Sequence, residues 1–318
     1  MKIFAPVLTL VCVLAGFNYV VPNAAAASDP AKRLLLRVSG EGAEAGRIDI
    51  VNTASGSLSQ SLGLRCDRVH YGNGVLGCLR AVAGQGLKLD LASRDGVVQS
   101  TLHFPNVLLA SRLRISRDGT LAAFTGFSSG HTYTGTEFST RTYLIDATRK
   151  RLVADISTFK VVETASLKLS SKRINVWGVS FDPKLPTRFM ATVGAGGDVF
   201  LVQGDAQAKT LTLLRQHMEC PSFSPDGTRI AFKRRIPTGG WSPAIYELAS
   251  GREWVMKETR SVDDQIEWLD NDTIAYAVST SGSIETPGSE TDLMVRKADG
   301  RGASAVLLRK AESPAVFD

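Results

Sequence analysis

The chain has 318 residues and a net charge of +6, a mild basic excess spread along its length. Residues 149–151 and 233–235 are the only runs of three bases, so a nucleic-acid surface of basic clusters interleaved with aromatics is excluded. Four histidines, none within four residues of another, exclude a short-spaced metal motif, and the length permits one all-β domain.

Residues 1–27 read as an export leader. Lys2 supplies the positive start, an apolar run covers 3–21, and the alanines at 24–27 form a small-residue cleavage region, so cleavage is expected after Ala27. Pro6, Gly16, Asn18 and Pro22 interrupt the run, which argues against a retained membrane anchor. The expected product is a periplasmic or secreted protein spanning 28–318, with no integral membrane span once the leader is removed. Loss of Lys2 leaves a charge of +5.

Residues 29–37, DPAKRLLLR, look like a turn and a second strand with no first strand before them. Alternating runs at 47–51 and 58–62 follow as third and fourth strands. A hairpin is expected around Gly72-Asn73-Gly74, flanked by Cys66 and Cys78, with further strands at 87–91 and 97–104. A turn centred on Gly72 would set the two cysteines opposite each other. One centred on Asn73 would pair Cys66 with Arg80 and leave the thiols diagonal, about 7 Å apart. Both registers are open, so a Cys66–Cys78 disulfide is one of two outcomes. The remaining cysteine, Cys220, is expected to be a small buried apolar residue.

The next hairpin turns at 116–120 (SRDGT), with later strands at 141–145 and 152–156. Polar insertions are expected at 128–139 and 158–173, because Ala123 and Ala191 are 68 residues apart where later units repeat at 40 and 44. Then come a turn at 181–188 and strands at 199–202 and 211–214. Residues 220–232, CPSFSPDGTRIAF, are the clearest copy of the repeat: two apolar runs around turn chemistry in which Pro fixes φ, Asp bonds its own backbone and Gly takes φ > 0. Strands at 245–248 and 254–257, a turn at 269–273 (LDNDT), and strands at 293–296 and 305–308 complete the series.

Aligned on the hairpin, Phe223 corresponds to His70, Ile115, Phe181 and Trp268, and Ala231 to Gly77, Ala123, Ala191 and Ala275. The recurring small residue is expected where a second strand presses on the neighbouring sheet. Four antiparallel strands per unit at a period of about 40–50 residues is the signature of a propeller blade. The tail at 313–318, SPAVFD, resembles a first strand with nothing after it, so head and tail supply what each other lacks. The expected fold is therefore an all-β, six-bladed propeller of four-stranded antiparallel blades, closed by N- and C-terminal strands sharing one blade.

CPSFSPDGTRIAFKRR, followed by a short alternating strand and DDQIEWLDNDTIAY, resembles the TolB-type β-propeller repeat, and residues 28–318 are similar to the exported TolB-like translocation proteins. The resemblance covers the propeller only. TolB carries an additional N-terminal α/β domain, whereas here Ser28 leads almost directly into a blade.

Gly126-Phe127-Ser128-Ser129-Gly130 fits G-x-S-x-G, but a Thr/Gly/Ser-rich loop follows in place of a helix, so a hairpin loop explains it. His70 falls on an apolar hairpin position and reads as a satisfied core histidine. Near the starts of the innermost strands stand Asp67, Arg112, Trp177, Glu219, Asp263 and Asp264, a mixed-charge set with one aromatic. Asp264 has a second reading, as a cap that accepts backbone N–H groups.

The sequence thus points to a monomeric, non-enzymatic scaffold without cofactor or metal. It would bind an envelope or extracellular protein or peptide at the channel mouth and on the insertions, through Arg112, Trp177, Glu219, Asp263 and Asp264. The alternative is a channel-metal propeller enzyme of the lactonase or polysaccharide lyase type, which needs several His or carboxylate ligands converging. A carbohydrate ligand would instead need exposed platforms at Trp177, Trp241 or Trp254.

Overall fold

Apolar alternation and turn chemistry make each hairpin the inner half of a four-stranded antiparallel sheet, and six such sheets form a propeller. The computed structural model describes residues 32–130, 138–237, 239–262, 264–280 and 289–318. The leader, residues 131–137 of the first insertion and Asp263 lie outside the described residues.

The first blade contains β1 (Arg33–Val38), β2 (Arg47–Asn52) and β3 (Leu58–Arg65). The second is β4 (Arg68–Gly72), β5 (Val75–Val82), β6 (Gly86–Ser93) and β7 (Val98–Phe104). The third is β8 (Leu109–Ile115), β9 (Leu121–Ser129), β10 (Ser139–Asp146) and β11 (Arg151–Asp155). A short β12 (Lys160–Val162) precedes the fourth blade, β13 (Ile174–Phe181), β14 (Arg188–Ala195), β15 (Asp198–Asp205) and β16 (Thr210–Gln216). The fifth is β17 (Glu219–Phe223), β18 (Arg229–Arg235), β19 (Trp241–Glu247) and β20 (Glu253–Val255). The sixth is β21 (Glu267–Trp268), β22 (Thr273–Ser279), β23 (Thr291–Lys297) and β24 (Ala305–Arg309). The last strand, β25 (Ala311–Val316), returns to the first blade.

Head and tail close the ring as the sequence implies. β25 is the innermost strand of blade one and pairs antiparallel with β1, Leu34 opposite Val316 and Leu35 opposite Ala315. Phe317 continues past the strand against Tyr71 of blade two, ring centroids 4.5 Å apart, and carries the guanidinium groups of Arg33 and Arg94 on its faces.

The small residues do separate the blades as expected. A Cβ on Gly77 would lie 2.9 Å from Ile115 of blade three. Ala123 packs with Val179 and Phe181 of blade four, Ala231 with Ile266 and Trp268 of blade six, and Ala275 with Leu34 and Leu36 of blade one. In blade four the place is taken by Met190, one residue before Ala191, because Ser180 pairs with Met190.

The second insertion is not all loop. β12 lies parallel to β16 and makes blade four five-stranded, covering its outer edge. Ser128 of the G-x-S-x-G match lies on β9 and its hydroxyl donates to the Ser139 carbonyl at 3.3 Å, so the segment is a strand end and no elbow.

Cys66 and Cys78 form a disulfide with a Cα–Cα distance of 5.3 Å. It follows neither of the two expected geometries. The turn is Asn73-Gly74, with Gly72 opposite Val75, and Cys78 stands opposite Val69. Cys66 sits before β4, in the link from blade one, where its N–H donates to the Gly46 carbonyl. The bridge thus ties that link to the second strand of blade two. Cys220 is free and buried.

Candidate functional site

Counting pairs outward from the turns aligns the inner strands. Tyr71, Ile115, Phe181, Phe223, Trp268 and Val316 are equivalent, and the residue before each is His70, Arg114, Ser180, Ser222, Glu267 or Ala315. The sequence alignment had placed His70 on the apolar position. The two-residue turn after β4 is shorter than the turns in blades three and five, which shifts blade two by one, so Tyr71 takes the apolar place and His70 joins the polar layer.

Both layers line one cavity of about 390 Å³ at the ends of the inner strands. Every blade contributes to it. Aromatic and aliphatic edges from Tyr71, Ile115, Phe181, Phe223, Trp268 and Val316 form the wall, and five polar side chains, His70, Arg114, Ser180, Ser222 and Glu267, form the floor. Lys32 and Asp270, paired at 3.1 Å, sit at the rim with Asn73, Asn271 and Asp318.

The floor is built around Arg114. Its Nη1 donates to Glu267 Oε2 at 2.5 Å, and its Nη2 donates to the Ile266 carbonyl at 2.6 Å and to Ser222 Oγ at 3.5 Å. His70 Nδ1 accepts from the Ile115 N–H at 3.0 Å, which places the imidazole proton on Nε2, 3.6 Å from Glu267 Oε2. Burial, then the Arg114 charge, lowers the His70 pKa below 6.5, against the opposing pull of Glu267 and Asp264. For Glu267 burial alone would raise the pKa, but Arg114, His70 and the Val316 N–H outweigh it and hold the carboxyl below its usual value. The floor therefore carries one cation, one anion and a neutral imidazole.

Beneath this layer the axis closes. A void of about 10 Å³ remains, lined by Arg68, Arg112, Asp264, Gln265 and Ser313 among others. Gln265 Nε2 donates to the Val179 carbonyl at 3.0 Å and to the Pro221 carbonyl at 2.7 Å, tying blades four, five and six across the axis. The inner strands are also close together here. β13, β17 and β25 each bulge, with positive φ at Gly178, Cys220 and Ser313. A Cβ on Gly178 would stand 2.8 Å from the Cys220 Cα, so only glycine fits there. The cavity is thus a funnel, blind at its base among the described residues.

The residues expected to line a channel mouth lie toward the other end of the inner strands, and they are buried. Trp177 is 1% exposed and packs with Phe127, Cys220 and Trp241, its ring 6.0 Å from that of Phe138. Glu219 is buried and its Oε1 accepts from Trp241 Nε1 at 2.9 Å and Arg235 Nε at 3.0 Å. Arg112 is buried, with Nη1 donating to the Ser111 carbonyl at 2.8 Å. Asp264 accepts from the Gln265 N–H at 2.7 Å and the Ser313 N–H at 2.5 Å, which is the capping geometry and links blade six to the closing strand. Arg112 and Asp264 meet at the small void; Trp177 and Glu219 belong to a separate aromatic cluster. Asp263 is outside the described residues. Trp241 is as buried as Trp177, and Trp254 donates from Nε1 to the Ala298 carbonyl under the Arg252 guanidinium, so neither is an open platform.

Sequence reasoning missed Arg114, Ser222 and Glu267. The signal was the residue before the recurrent hairpin aromatic or aliphatic, polar in five of six units once the short turn of blade two is allowed for. No group of three or more His, Cys, Asp or Glu placed to hold a metal ion occurs among the described residues. The lactonase or lyase reading therefore lacks, among them, the ligand set it needs.

No family model matches the chain, and no curated protein does. Among solved structures, TolB from Acinetobacter baumannii superposes with a TM-score of 0.64 at 15% identity, covering 90% of this chain and 66% of that one. The chain thus spans about two thirds of that TolB. A putative TolB from Agrobacterium tumefaciens gives 0.54 at 14% identity, over 87% and 88% of the two chains. A chain of a nidogen/laminin complex gives 0.57 at 11% identity, over 90% and 98%. At these identities the likeness is one of fold, the six-bladed propeller.

Proposed function

We propose that the protein is an exported, non-catalytic binding propeller that receives a short segment of a partner protein in its axial funnel. The observation that carries this reading is the funnel itself: a blind cavity of about 390 Å³ to which every blade contributes wall residues. Its size suits a few residues of an inserted chain, and an apolar wall above a few fixed polar groups is the usual make-up of a recognition pocket. The floor charges are paired with each other, which favours binding over chemistry. The likeness to TolB structures supports the same reading at the level of fold.

The test is site-specific photocrosslinking in the native cell envelope. A photoreactive residue at Asn73 or Asn271, on the funnel rim, is expected to trap a discrete protein partner. The same residue at Val98, exposed on the outer strand of blade two, should not. Adducts at Val98 with none at the rim would overturn the assignment.

A further inference from the structure

The fold gathers at one margin of the funnel face bases that the sequence scatters over residues 149–209. In blade three, Ile115 of the funnel wall is level with Ala122, Ile145 and Leu152. Arg149, Lys150 and Arg151, in and after the turn that precedes Leu152, therefore stand at the outer edge of that face. In blade four Phe181 pairs with Phe189, and the adjoining row runs from Arg188 through Asp205 and Thr210 to Lys160. The Lys160 N–H donates to the Lys209 carbonyl at 3.0 Å, so these two lysines are neighbours, and Lys184 lies in the turn before Arg188. The two blades are adjacent, packed through Ala123, Phe159 and Phe181.

All seven bases are exposed. Among the described residues, the only ion pair that any of them makes is Arg149 to Asp146 at 2.9 Å. The other carboxylates at this level cap turns: Asp182 accepts from the Lys184 and Leu185 N–H groups, and Asp205 from those of Gln207 and Ala208. Seven bases against these three carboxylates leave +4, most of the chain's net charge of +6. The field of the protein is thus concentrated on one margin.

Exposed aliphatic side chains share that face. Leu152 and Val153 directly follow Arg151, and Leu185 follows Lys184; they are 47%, 45% and 44% exposed. Leu58 of blade one and Val98 of blade two, also exposed, occupy the level of Leu152 in their own blades. The exposed large apolar residues described are all leucine or valine, with no aromatic among them.

We propose that this margin of the funnel face, on blades three and four, docks on the surface of an anionic phospholipid membrane, its bases among the headgroups and Leu152, Val153 and Leu185 dipping below them. Four of the seven bases are lysines, which protein interfaces deplete, whereas a headgroup layer asks only for point charges beside aliphatic area. A single-stranded nucleic acid would need aromatic platforms, which the margin lacks. The outer strands stand three strand spacings of about 4.8 Å, or roughly 14 Å, from the inner ones, so contact here leaves the funnel mouth open at the axis. The inference does not depend on what the funnel binds.

The test is cosedimentation. The protein, purified after export, is spun down with vesicles of phosphatidylcholine alone or of phosphatidylcholine mixed with phosphatidylglycerol, and the bound fraction is measured. Binding to the mixed vesicles is expected to be at least about tenfold tighter. It should fall when added salt shortens the screening length from about 10 Å to about 3 Å. Lys150→Asn/Arg151→Gln/Lys209→Asn removes three of the charges and suits the fold, because asparagine tolerates the positive φ of Lys150 and Lys209. It should lose at least about tenfold in affinity for the mixed vesicles. Lys88→Gln/Lys172→Gln/Lys257→Gln removes as many charges from elsewhere on the protein and should bind as the wild type does. Equal losses in the two variants, or equal binding of the wild type to both kinds of vesicle, would overturn the assignment of this margin. Retention on a polyglutamate matrix with no binding to either vesicle would overturn the lipid in favour of an acidic protein.

Discussion

Arg114 on blade three and Glu267 on blade six come from opposite sides of the ring and meet at 2.5 Å over the axis. The pair is largely buried, with side chains 7% and 14% exposed, and His70 of blade two stands beside it. It sets the charge of the funnel floor.

Breaking that pair from one side should be more harmful than removing it. Arg114→Met leaves the Glu267 carboxylate buried without its counter-ion and should cost about 3–5 kcal/mol, read from urea unfolding. Adding Glu267→Gln removes the orphaned charge and should recover much of the loss. Strictly additive effects in the double-mutant cycle would mean the two groups are not coupled.

Acid should weaken the fold through His70 before it does so through Glu267. The folded pKa of His70 lies below the free value of 6.5, so as pH falls through 6.5 the unfolded chain takes up a proton that the native protein refuses. Stability contributed by the neutral ring is full above that pH and is lost as pH drops toward the folded value. The depressed Glu267 pKa likewise contributes stability above the free value of 4.5, lost as pH falls through its folded value. Between pH 7 and 5 the melting temperature of the wild type should therefore fall further than that of His70→Gln. Parallel curves would show that His70 titrates normally in the folded state.

Closure of the ring rests on a strand and one aromatic. Phe317 is 3% exposed against Tyr71, so Phe317→Ala should cost about 3–5 kcal/mol. Deleting residues 313–318 also removes the Leu34–Val316 and Leu35–Ala315 pairing and the N–H group that Asp264 caps. The deletion should lower the melting temperature by many degrees more than Phe317→Ala does. An unchanged melting curve for the deletion would show that the ring does not depend on its last strand.

The Cys66–Cys78 bridge closes a loop with a sequence separation of 12, for which chain entropy predicts roughly 3 kcal/mol. Cys66→Ala/Cys78→Ala should lose about that much in denaturant unfolding, and a reducing agent should bring the wild type to the same midpoint. A midpoint indifferent to reductant would show that the bridge does not contribute to stability.

The architecture could be read from the chain because its determinants are local and repeated. Turn residues such as Ser224-Pro225-Asp226-Gly227, where the Asp226 carboxylate accepts from the Thr228 N–H at 3.0 Å, fix hairpins without help from the rest of the molecule. The unmatched half-repeats at the two ends dictate closure by the same logic. Which end of the axis stays open was not local. It depends on bulges at Gly178, Cys220 and Ser313 and on Gln265 reaching two other blades, contacts between residues tens of positions apart. The single-residue offset that turns His70 from a core residue into a floor residue came from one short turn. In a strand, where side chains alternate faces, a slip of one moves a residue to the other side. The repeat thus established the blades and their number. Only the packing of six inner strands around a narrow axis decided that Arg114, Glu267 and His70 meet, because close approach at the centre fills one end with side chains and leaves space at the other.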